Sequence, residues 1–393
     1  MTSLQFRFWQ IGDDTIVAPW LEQMGWMKPV RYAAKFNDVG LQEESIVIAE
    51  VDGVPVGHSM VALRTVRHGE SLLRVANIGQ VIVHSDNRMS GVGSALINRS
   101  MELSRRLDAS LIWLVAHKEK GPAFDMYERR GFRVLERRLS ATVDVGSLPI
   151  NQKLQVRIAD NGNSSDIARL RKRLATKMTG VPAQHYDVSD GGNWMSVLRD
   201  SGIVAAAFVE NTQGLPTLKK LLFDDSEDPN PSAAISAVVR EANSEASEFR
   251  VHGNPASLLV RNTPGFPWKV VPGEHMCTLV SLRGVFEQLK TYLTERAMEL
   301  GFKSSRLALQ AGNEVIGIQL TNNTVTLSDP LQRDSRIEFK NGVFPRLLLG
   351  IKDWEKELSD GSVVFYAGEM LVNDAFNWLF QFQYMDATQI SGW

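Results

Sequence analysis

The sequence predicts an α+β protein of more than one domain, in which a mixed β-sheet is flanked by helices. Three observations support this fold class. The chain has 393 residues, which is too many for one ordinary core. Apolar runs typical of strands alternate with segments of helical periodicity. One apolar run ends in a loop with two closely spaced glycines, and a helix is predicted directly after it.

Composition restricts the kind of protein. The 44% hydrophobic and 22% charged residues are typical of a soluble globular chain, and a net charge of −2 does not favour nucleic acid as a partner. The single Cys277 excludes an intrachain disulfide, and no His/Cys cluster has metal-ligand spacing. The sequence shows neither a signal peptide nor a long apolar run. We therefore expect a cytoplasmic protein with no metal and no membrane partner.

The first predicted strands lead to the glycine loop. Residues 46–51 and 54–66 form a hairpin around Asp52-Gly53, and residues 76–84 form a long central strand. The loop after this strand directs backbone N–H groups into one concavity at a helix N-terminus, which attracts a phosphate or pyrophosphate. Gly91 and Gly93 allow close approach of the anion. Such turns are also common without any ligand.

The next forty residues make the pattern more specific. A helix with apolar positions from Leu96 to Leu107 precedes a strand at 111–115, and a further strand is predicted from 134 to 145. Residues 88–93 read Arg-Met-Ser-Gly-Val-Gly, and residues 123–132 run from Ala through Tyr127 to Gly-Phe. Both motifs, in this order, resemble those of the GNAT family of acetyl-CoA-dependent N-acetyltransferases over residues 40–145.

The resemblance implies roles for particular residues. The strand end at Ile82, Val83 and His84 would bind the thioester and pantetheine of acetyl-CoA, and His117 would add a hydrogen bond. The pyrophosphate would lie on Arg88, Met89, Ser90, Gly91, Val92, Gly93 and Ser94. Tyr127 would be the general acid that protonates the departing thiolate. The alternatives are a solvated Arg88, a Tyr127 that only packs on the cofactor, and a His117 without a ligand.

A linker at 147–152 separates a predicted second domain, residues 149–279. It opens with a strand at 155–159 and a helix at 167–178, as a GNAT domain would, and has a buried strand at 203–209. Its acidic, proline-containing stretch at 224–231 cannot hold a pyrophosphate well. The segment is interpreted as a degenerate GNAT-like domain, with an unrelated α/β spacer as the alternative.

The predicted third domain covers residues 280–393. A helix at 282–300 ends at Gly301, four short strands lie between 306 and 339, and a helix follows at 344–358. The arrangement resembles a sterol carrier protein-like α+β domain, whose role here is structural or, as an alternative, lipid-binding.

The order of the three predicted domains (1–148, 149–279 and 280–393) resembles the enhanced-intracellular-survival (Eis) family of acetyltransferases. That resemblance implies a ring-like homo-oligomer, such as a hexamer, and a catalytic role for the C-terminal carboxylate of Trp393. A packed tail without chemical function is the alternative. Aromatic residues of the N-terminal segment are candidates for the acceptor pocket, or else belong to the core. They are Trp20, Trp26, Tyr32 and Phe36.

The function predicted from sequence is transfer of acetyl from acetyl-CoA to an amine by direct attack on the thioester. The acceptor would be an aminoglycoside, a polyamine or a lysine side chain. The alternative is a non-catalytic acyl-CoA- or lipid-binding assembly protein.

Overall fold

A computed structural model describes much of the chain, and the following account is confined to those residues. They are 3–24, 32, 41–116, 121–135, 138–159, 167, 169–170, 192–200, 202–212, 215–223, 231–242, 247–253, 260, 263–271, 275–340, 342–349, 354–368 and 370–380. The chain divides into two compact units. The first comprises 1–9, 42–136 and 274–385, and the second comprises 10–41, 137–273 and 386–393.

The first unit contains a seven-stranded mixed sheet with the order β1-β2-β3-β4-β5-β14-β6. Its strands are β1 (Leu4–Phe8), β2 (Ile46–Val51), β3 (Val54–His68), β4 (Ser71–Val83), β5 (Leu111–Val115), β6 (Arg133–Val134) and β14 (His275–Leu279). Only β4 and β5 pair in parallel. Helix α2 (Val92–Arg106) connects these two strands, and α3 (Pro122–Glu128) follows β5.

One face of this sheet packs against α2 and α3. Because side chains alternate across a strand, every second residue of β4 and β5 enters this core, including Ala76, Ile78, Ile112 and Leu114. Gly57 of β3 lies beneath the first turns of α2. A Cβ atom at position 57 would lie 2.8 Å from Leu96 Cδ1, so the glycine allows the helix to approach the sheet closely.

The second unit contains another seven-stranded sheet, with the order β8-β9-β10-β11-β12-β7-β13. Its strands are β7 (Arg138–Asp144), β8 (Leu154–Ala159), β9 (Gly192–Arg199), β10 (Gly202–Thr212), β11 (Leu215–Phe223), β12 (Glu248–Gly253) and β13 (Lys269–Val271). Helix α4 (Pro231–Ala242) lies between β11 and β12, which pair in parallel. The order and directions therefore repeat those of the first sheet. Helix α1 (Asp13–Gln23) also belongs to this unit.

Strand pairing departs from chain order at two places. The segment from 134 to 145, predicted as one strand of the first domain, is divided between β6 in the first sheet and β7 in the second. Conversely, β14 follows the second sheet in sequence but pairs with β5 and β6 of the first. Alternating apolar residues predict that a strand forms, yet they do not identify its partner.

The rest of the first unit is a third sheet with the order β17-β16-β15-β18-β19. Its elements are α5 (Leu282–Gln288), α6 (Lys290–Glu299), β15 (Ser304–Ala311), β16 (Glu314–Thr321), β17 (Thr324–Ser328), β18 (Ser335–Phe339), α7 (Val343–Leu348), α8 (Trp354–Ser359), β19 (Val363–Tyr366) and α9 (Val372–Leu379). The strands predicted between 306 and 339 are confirmed. The helix predicted at 282–300 is two helices separated at Leu289, and that predicted at 344–358 is also two.

Phenylalanine rings pack together in the core of this third sheet. Phe339, Phe344 and Phe380 contact one another with ring centroids 5.1–6.2 Å apart. Polar contacts join its helices to the long β3–β4 hairpin: Ser71 Oγ accepts from the Tyr292 N–H at 2.9 Å, and the Arg74 N–H donates to Gln288 Oε1 at 2.8 Å. Hydrogen bonds therefore join α5 and α6 directly to the β3–β4 hairpin of the first sheet.

The predicted fold class, a mixed α+β protein with helices flanking its sheets, is confirmed. Among the described residues, no helix is long and apolar enough to cross a membrane.

Candidate active site

The centre of the candidate site is the part of β4 from Gly79 to Val83, which has no β5 residue paired beside it and is called the gap below. The parallel ladder joins Val75–Ile78 only to Leu111–Leu114, whereas β4 continues to Val83 without β5 beside it. Backbone groups on that side of β4 are therefore free of the ladder beyond Ile78. Strand β5 itself ends at Val115, so an elongated ligand could lie along the unpaired side of β4 that leads to the glycine loop.

A β-bulge deforms β4 within this gap. The register with β3 changes between Met60↔Gly79 and His58↔Ile82, so two residues of β4 face one residue of β3. Gln80 has a φ of 52°, which is uncommon for a residue with a side chain. Its carbonyl accepts a hydrogen bond from Nδ1 of the fully buried His58 at 3.0 Å, so this ring nitrogen carries the proton.

The glycine loop follows directly. Met89 and Gly91 have φ angles of 61° and 91°, and Gly91 is the N-cap of α2. The backbone N–H groups of Met89 to Ser94 donate to no other group in the described chain, as expected for the first turn of a helix. Their partial positive charge and the dipole of the fifteen-residue helix α2 both favour an anion here.

The entry to the loop is anchored to the sheet. The His84 N–H donates to the Val56 carbonyl at 2.9 Å, and Arg88 Nε donates to the Val83 carbonyl at 3.2 Å. Neither glycine is crowded: a Cβ at Gly91 would meet nothing within 4 Å, and one at Gly93 only Val83 Cγ2 at 3.6 Å. The loop backbone is therefore uncrowded at both glycines.

Tyr127 lies on α3 in the same core cluster as Val92 and Leu96 of α2. The side chain is 7% exposed, its ring packs edge-on against Phe132, and its hydroxyl makes no hydrogen bond with the described residues. Burial raises the pKa of Tyr127 to about 12, so the hydroxyl stays protonated at neutral pH. It is available as a hydrogen-bond and proton donor.

Arg130 connects this tyrosine helix to the helix of the glycine loop. Its guanidinium donates to the Met126 carbonyl of α3 at 2.9 Å, and to Asn98 Oδ1 and the Ser94 carbonyl of α2 at 2.7 and 3.2 Å. Three planar contacts from one side chain fix the two helices relative to each other.

The residues predicted from sequence fall into three groups. The predicted cofactor residues 82–84 and 88–94 lie together with Tyr127 in the first unit. Trp20, half-buried on α1, and Tyr32, fully buried, belong to the second unit. Burial and the neighbouring Asp13 and Asp14 raise the pKa of Tyr32. His117, Trp26, Phe36 and Trp393 lie outside the described residues.

Sequence reasoning missed other residues of this region. Gly57, His58 and Asn77 lie on β3 and β4 beneath or beside the gap, and Arg130 lies at the end of α3. Arg130 falls inside the quoted motif at 123–132 and could have been suspected as a helix-capping cation. For the other three, only the strand register shows their positions.

Comparison with known proteins agrees with this geometry. Residues 7–132 match the sequence model of the acetyltransferase (GNAT) family. An uncharacterized N-acetyltransferase of Methanocaldococcus jannaschii is 31% identical over 94 residues, which are 24% of this chain and 41% of that relative. The chain therefore matches about two fifths of the length of this curated relative, and the N-terminal segment carries the GNAT sequence signature.

Several solved structures share the fold over nearly the whole chain. A GCN5-related N-acetyltransferase from Anabaena variabilis has a TM-score of 0.70 at 10% identity and covers 98% of each chain. A probable N-acyltransferase of unknown function from Enterococcus faecalis has 0.72 at 12%, covering 97% of this chain and 98% of its own. Eis1 from Mycobacterium abscessus has 0.62 at 13%, covering 98% and 99%. At such identities the likeness establishes the fold alone.

Proposed function

We propose that this protein is an N-acetyltransferase that transfers acetyl from acetyl-CoA to an amine. The observation that carries the proposal is one arrangement in the first unit. The N–H groups from Met89 to Ser94, which donate to no other group in the described residues, follow the part of β4 that extends beyond its ladder with β5, and Tyr127 packs in the same core. This arrangement suits a long ligand with an anion at one end and a reactive group at the other.

The cofactor would extend along β4. Its pyrophosphate would accept hydrogen bonds from the loop N–H groups, and its pantetheine would run beside Ile82, Val83 and His84 toward the bulge at Gln80. Bound acetyl-CoA supplies a thioester carbonyl as the electrophile. The hydrogen bond from His58 to Gln80 would keep the bulge, and therefore nearby backbone N–H groups, in a fixed position for that carbonyl.

Tyr127 would complete the transfer. The amine nitrogen forms a bond to the carbonyl carbon, the carbon–sulfur bond breaks, and the leaving sulfur receives the Tyr127 hydroxyl proton. A pKa of about 12 alone would make this donation unfavourable, since a free thiol has a pKa of about 8.5. The same burial raises the pKa of the departing thiol, which brings the two groups closer together.

Proton removal from the amine is assigned to the C-terminal carboxylate of Trp393, as the resemblance to the Eis family implies. A carboxylate is a weak base in water, and desolvation would strengthen it. The aromatic residues Trp20, Trp26, Tyr32 and Phe36 remain the proposed acceptor pocket, and His117 a proposed pantetheine contact. An aminoglycoside, a polyamine or a lysine side chain is the proposed acceptor.

The domain roles are proposals of the same kind. The second sheet repeats the strand order of the first, which supports a GNAT-like domain over an unrelated spacer. We propose that this GNAT-like domain has no cofactor site and that the third sheet belongs to a sterol carrier protein-like domain. The protein would be a cytoplasmic homo-oligomer.

Thiol release from acetyl-CoA by the untagged protein, measured against a panel of aminoglycosides, polyamines and lysine peptides, tests the function. Turnover with any amine supports it. Absence of both turnover and acetyl-CoA binding, measured by calorimetry, would refute it.

Tyr127→Phe separates an enzyme from an acyl-CoA-binding protein. We expect kcat to fall at least one hundred-fold, in the range of about 10²–10⁴ for general acid catalysis, while acetyl-CoA affinity changes little. Removal of Trp393 tests the base in the same way, and unchanged turnover would exclude the tail carboxylate from the mechanism.

A further inference from the structure

Asn77 is a fully buried carboxamide without a hydrogen bond. It lies in the middle of β4, is 0% exposed, and neither its Nδ2 nor its Oδ1 has a hydrogen-bond partner in the described chain. Its neighbours in register are Ala62 on β3 and Trp113 on β5. Trp113 does not satisfy it, because its Nε1–H donates to His275 Nδ1 at 3.1 Å.

Such a residue weakens the fold. Each buried polar atom left unpaired is destabilising, and a leucine of similar volume would fill the same position without that penalty. Most buried polar groups are paired, and an exception that lies beside a proposed ligand site is a candidate for pairing with that ligand or with an ordered water molecule.

The position of Asn77 indicates which ligand. It lies one residue before Ile78, where the β4–β5 ladder ends and the cofactor gap begins. Ala76 and Ile78, on either side of it, enter the core beneath α2 and α3. Because strand side chains alternate, Asn77 points to the opposite face of the sheet.

Gln80 carries a second carboxamide with an unpaired oxygen on the same strand. It lies three residues further along β4, in the bulge, and its buried Oε1 has no partner in the described residues. Two unpaired carboxamide oxygens therefore occur on four consecutive residues of the strand beside which the thioester would lie.

We infer that the Asn77 carboxamide binds the acceptor amine, directly or through one ordered water molecule, and holds its nitrogen against the thioester carbonyl. This inference rests on the proposed function. The glycine loop and Tyr127 lie on the α2–α3 face, and Asn77 points to the opposite face. Because Asn77 is 0% exposed, an acceptor reaches its carboxamide only when neighbouring side chains move aside. Oδ1 accepts a hydrogen bond from the amine, and a carboxamide takes up no proton near neutral pH, so Asn77 positions the acceptor and is not its base.

Asn77→Leu tests the inference, because the two roles of the residue predict opposite signs. Removing unpaired polar atoms from the core should leave Tm equal to or above that of the wild type. Loss of the acceptor hydrogen bond should lower kcat/KM for the amine about tenfold, with the acetyl-CoA dissociation constant unchanged. Ser110→Ala is the matched control. Ser110 is 1% exposed, its Oγ is also unpaired in the described chain, and it precedes the far end of β5.

Three results would overturn the proposed role of Asn77. A stable Asn77→Leu variant with an amine kcat/KM within twofold of the wild type would overturn the inference, and so would a fall in Tm. An equal loss of amine kcat/KM in Ser110→Ala would also overturn it, because that residue lies away from the gap. Inactivity of the wild-type protein toward every amine would instead count against the proposed function itself.

Asn77→Asp adds a readout that a purely structural residue would not affect. A carboxyl group keeps an accepting oxygen in the same place whether it is ionised or protonated, so amine kcat/KM should recover relative to Asn77→Leu. Absence of any recovery in Asn77→Asp would contradict the assigned role.

Discussion

Replacing Gly57 by alanine should displace the glycine loop without changing any residue that is proposed to bind acetyl-CoA. The new Cβ would lie 2.8 Å from Leu96 Cδ1, 3.1 Å from Val92 Cγ1 and 3.3 Å from the Ile82 carbonyl oxygen. Carbon atoms pack at about 3.5 Å or more, so the first turns of α2 must move outward by about 0.7 Å. Leu96 is fully buried, so its side chain can turn aside only against neighbouring core residues.

The magnitude follows from this crowding. Overpacking of a close-packed core destabilises a protein by about 1–3 kcal/mol, and we expect the free energy of unfolding to fall by that amount. The same movement would carry the N–H groups of the loop away from the proposed position of the pyrophosphate. Loss of one hydrogen bond would reduce the binding free energy by about 1.4 kcal/mol, which raises the CoA dissociation constant about tenfold.

Urea unfolding and calorimetric titration with CoA measure the two effects separately. Gly93→Ala is the control, because its Cβ would make only an ordinary 3.6 Å contact with Val83. Leu96→Val, combined with Gly57→Ala, removes the clashing methyl group and should make the double variant more stable than the sum of the single changes. Wild-type stability and CoA affinity in Gly57→Ala would refute the packing argument.

Three further predictions concern the same unit. Gly91→Ala should weaken CoA binding several-fold by calorimetry whereas Gly93→Ala should not, because only Gly91 has a left-handed φ of 91°, which costs an alanine about 1–2 kcal/mol; equal effects would contradict this. Arg130→Ala should lower both Tm and kcat, and Arg130→Lys should restore little, because one ammonium cannot reproduce three contacts to two helices; full rescue by lysine would disprove the geometric role. Burial lowers the pKa of His68 to about 3, so the folded state favours the neutral ring. The stability that depends on this neutral ring is fully present above pH 6.5, and below it the free energy of unfolding falls by about 1.4 kcal/mol per pH unit. Urea unfolding at pH 7 and pH 5 should show this loss in the wild type and not in His68→Leu.

The parts of the site that depend on local sequence could be predicted. Backbone N–H groups become available wherever a glycine-containing loop starts a helix, so residues 88–94 and the helix after them followed from the sequence. Tyr127 was found through a motif of ten residues, again a local pattern. Strand positions in the third sheet were also predicted, because turn residues separate each short apolar run.

The rest depends on which strands become neighbours. Asn77 in the sequence is an ordinary polar residue in a strand, and only the register with Ala62 and Trp113 shows that it is buried beside the gap. The importance of Gly57 likewise depends on a helix that begins thirty-five residues later. The break at Leu289 was missed because the apolar pattern continues through both α5 and α6.

The pairing of β14 has a consequence for how the protein is made. β5 and β6, both complete by residue 134, are separated in the finished sheet by a strand that ends at Leu279. A ribosome must therefore translate the entire second sheet before the first can close, and the nascent chain carries exposed strand edges until then. Any fragment cut at a boundary such as residue 148 would retain those edges permanently. Expression of the isolated N-terminal segment is thus expected to yield aggregates, in contrast to the 393-residue chain.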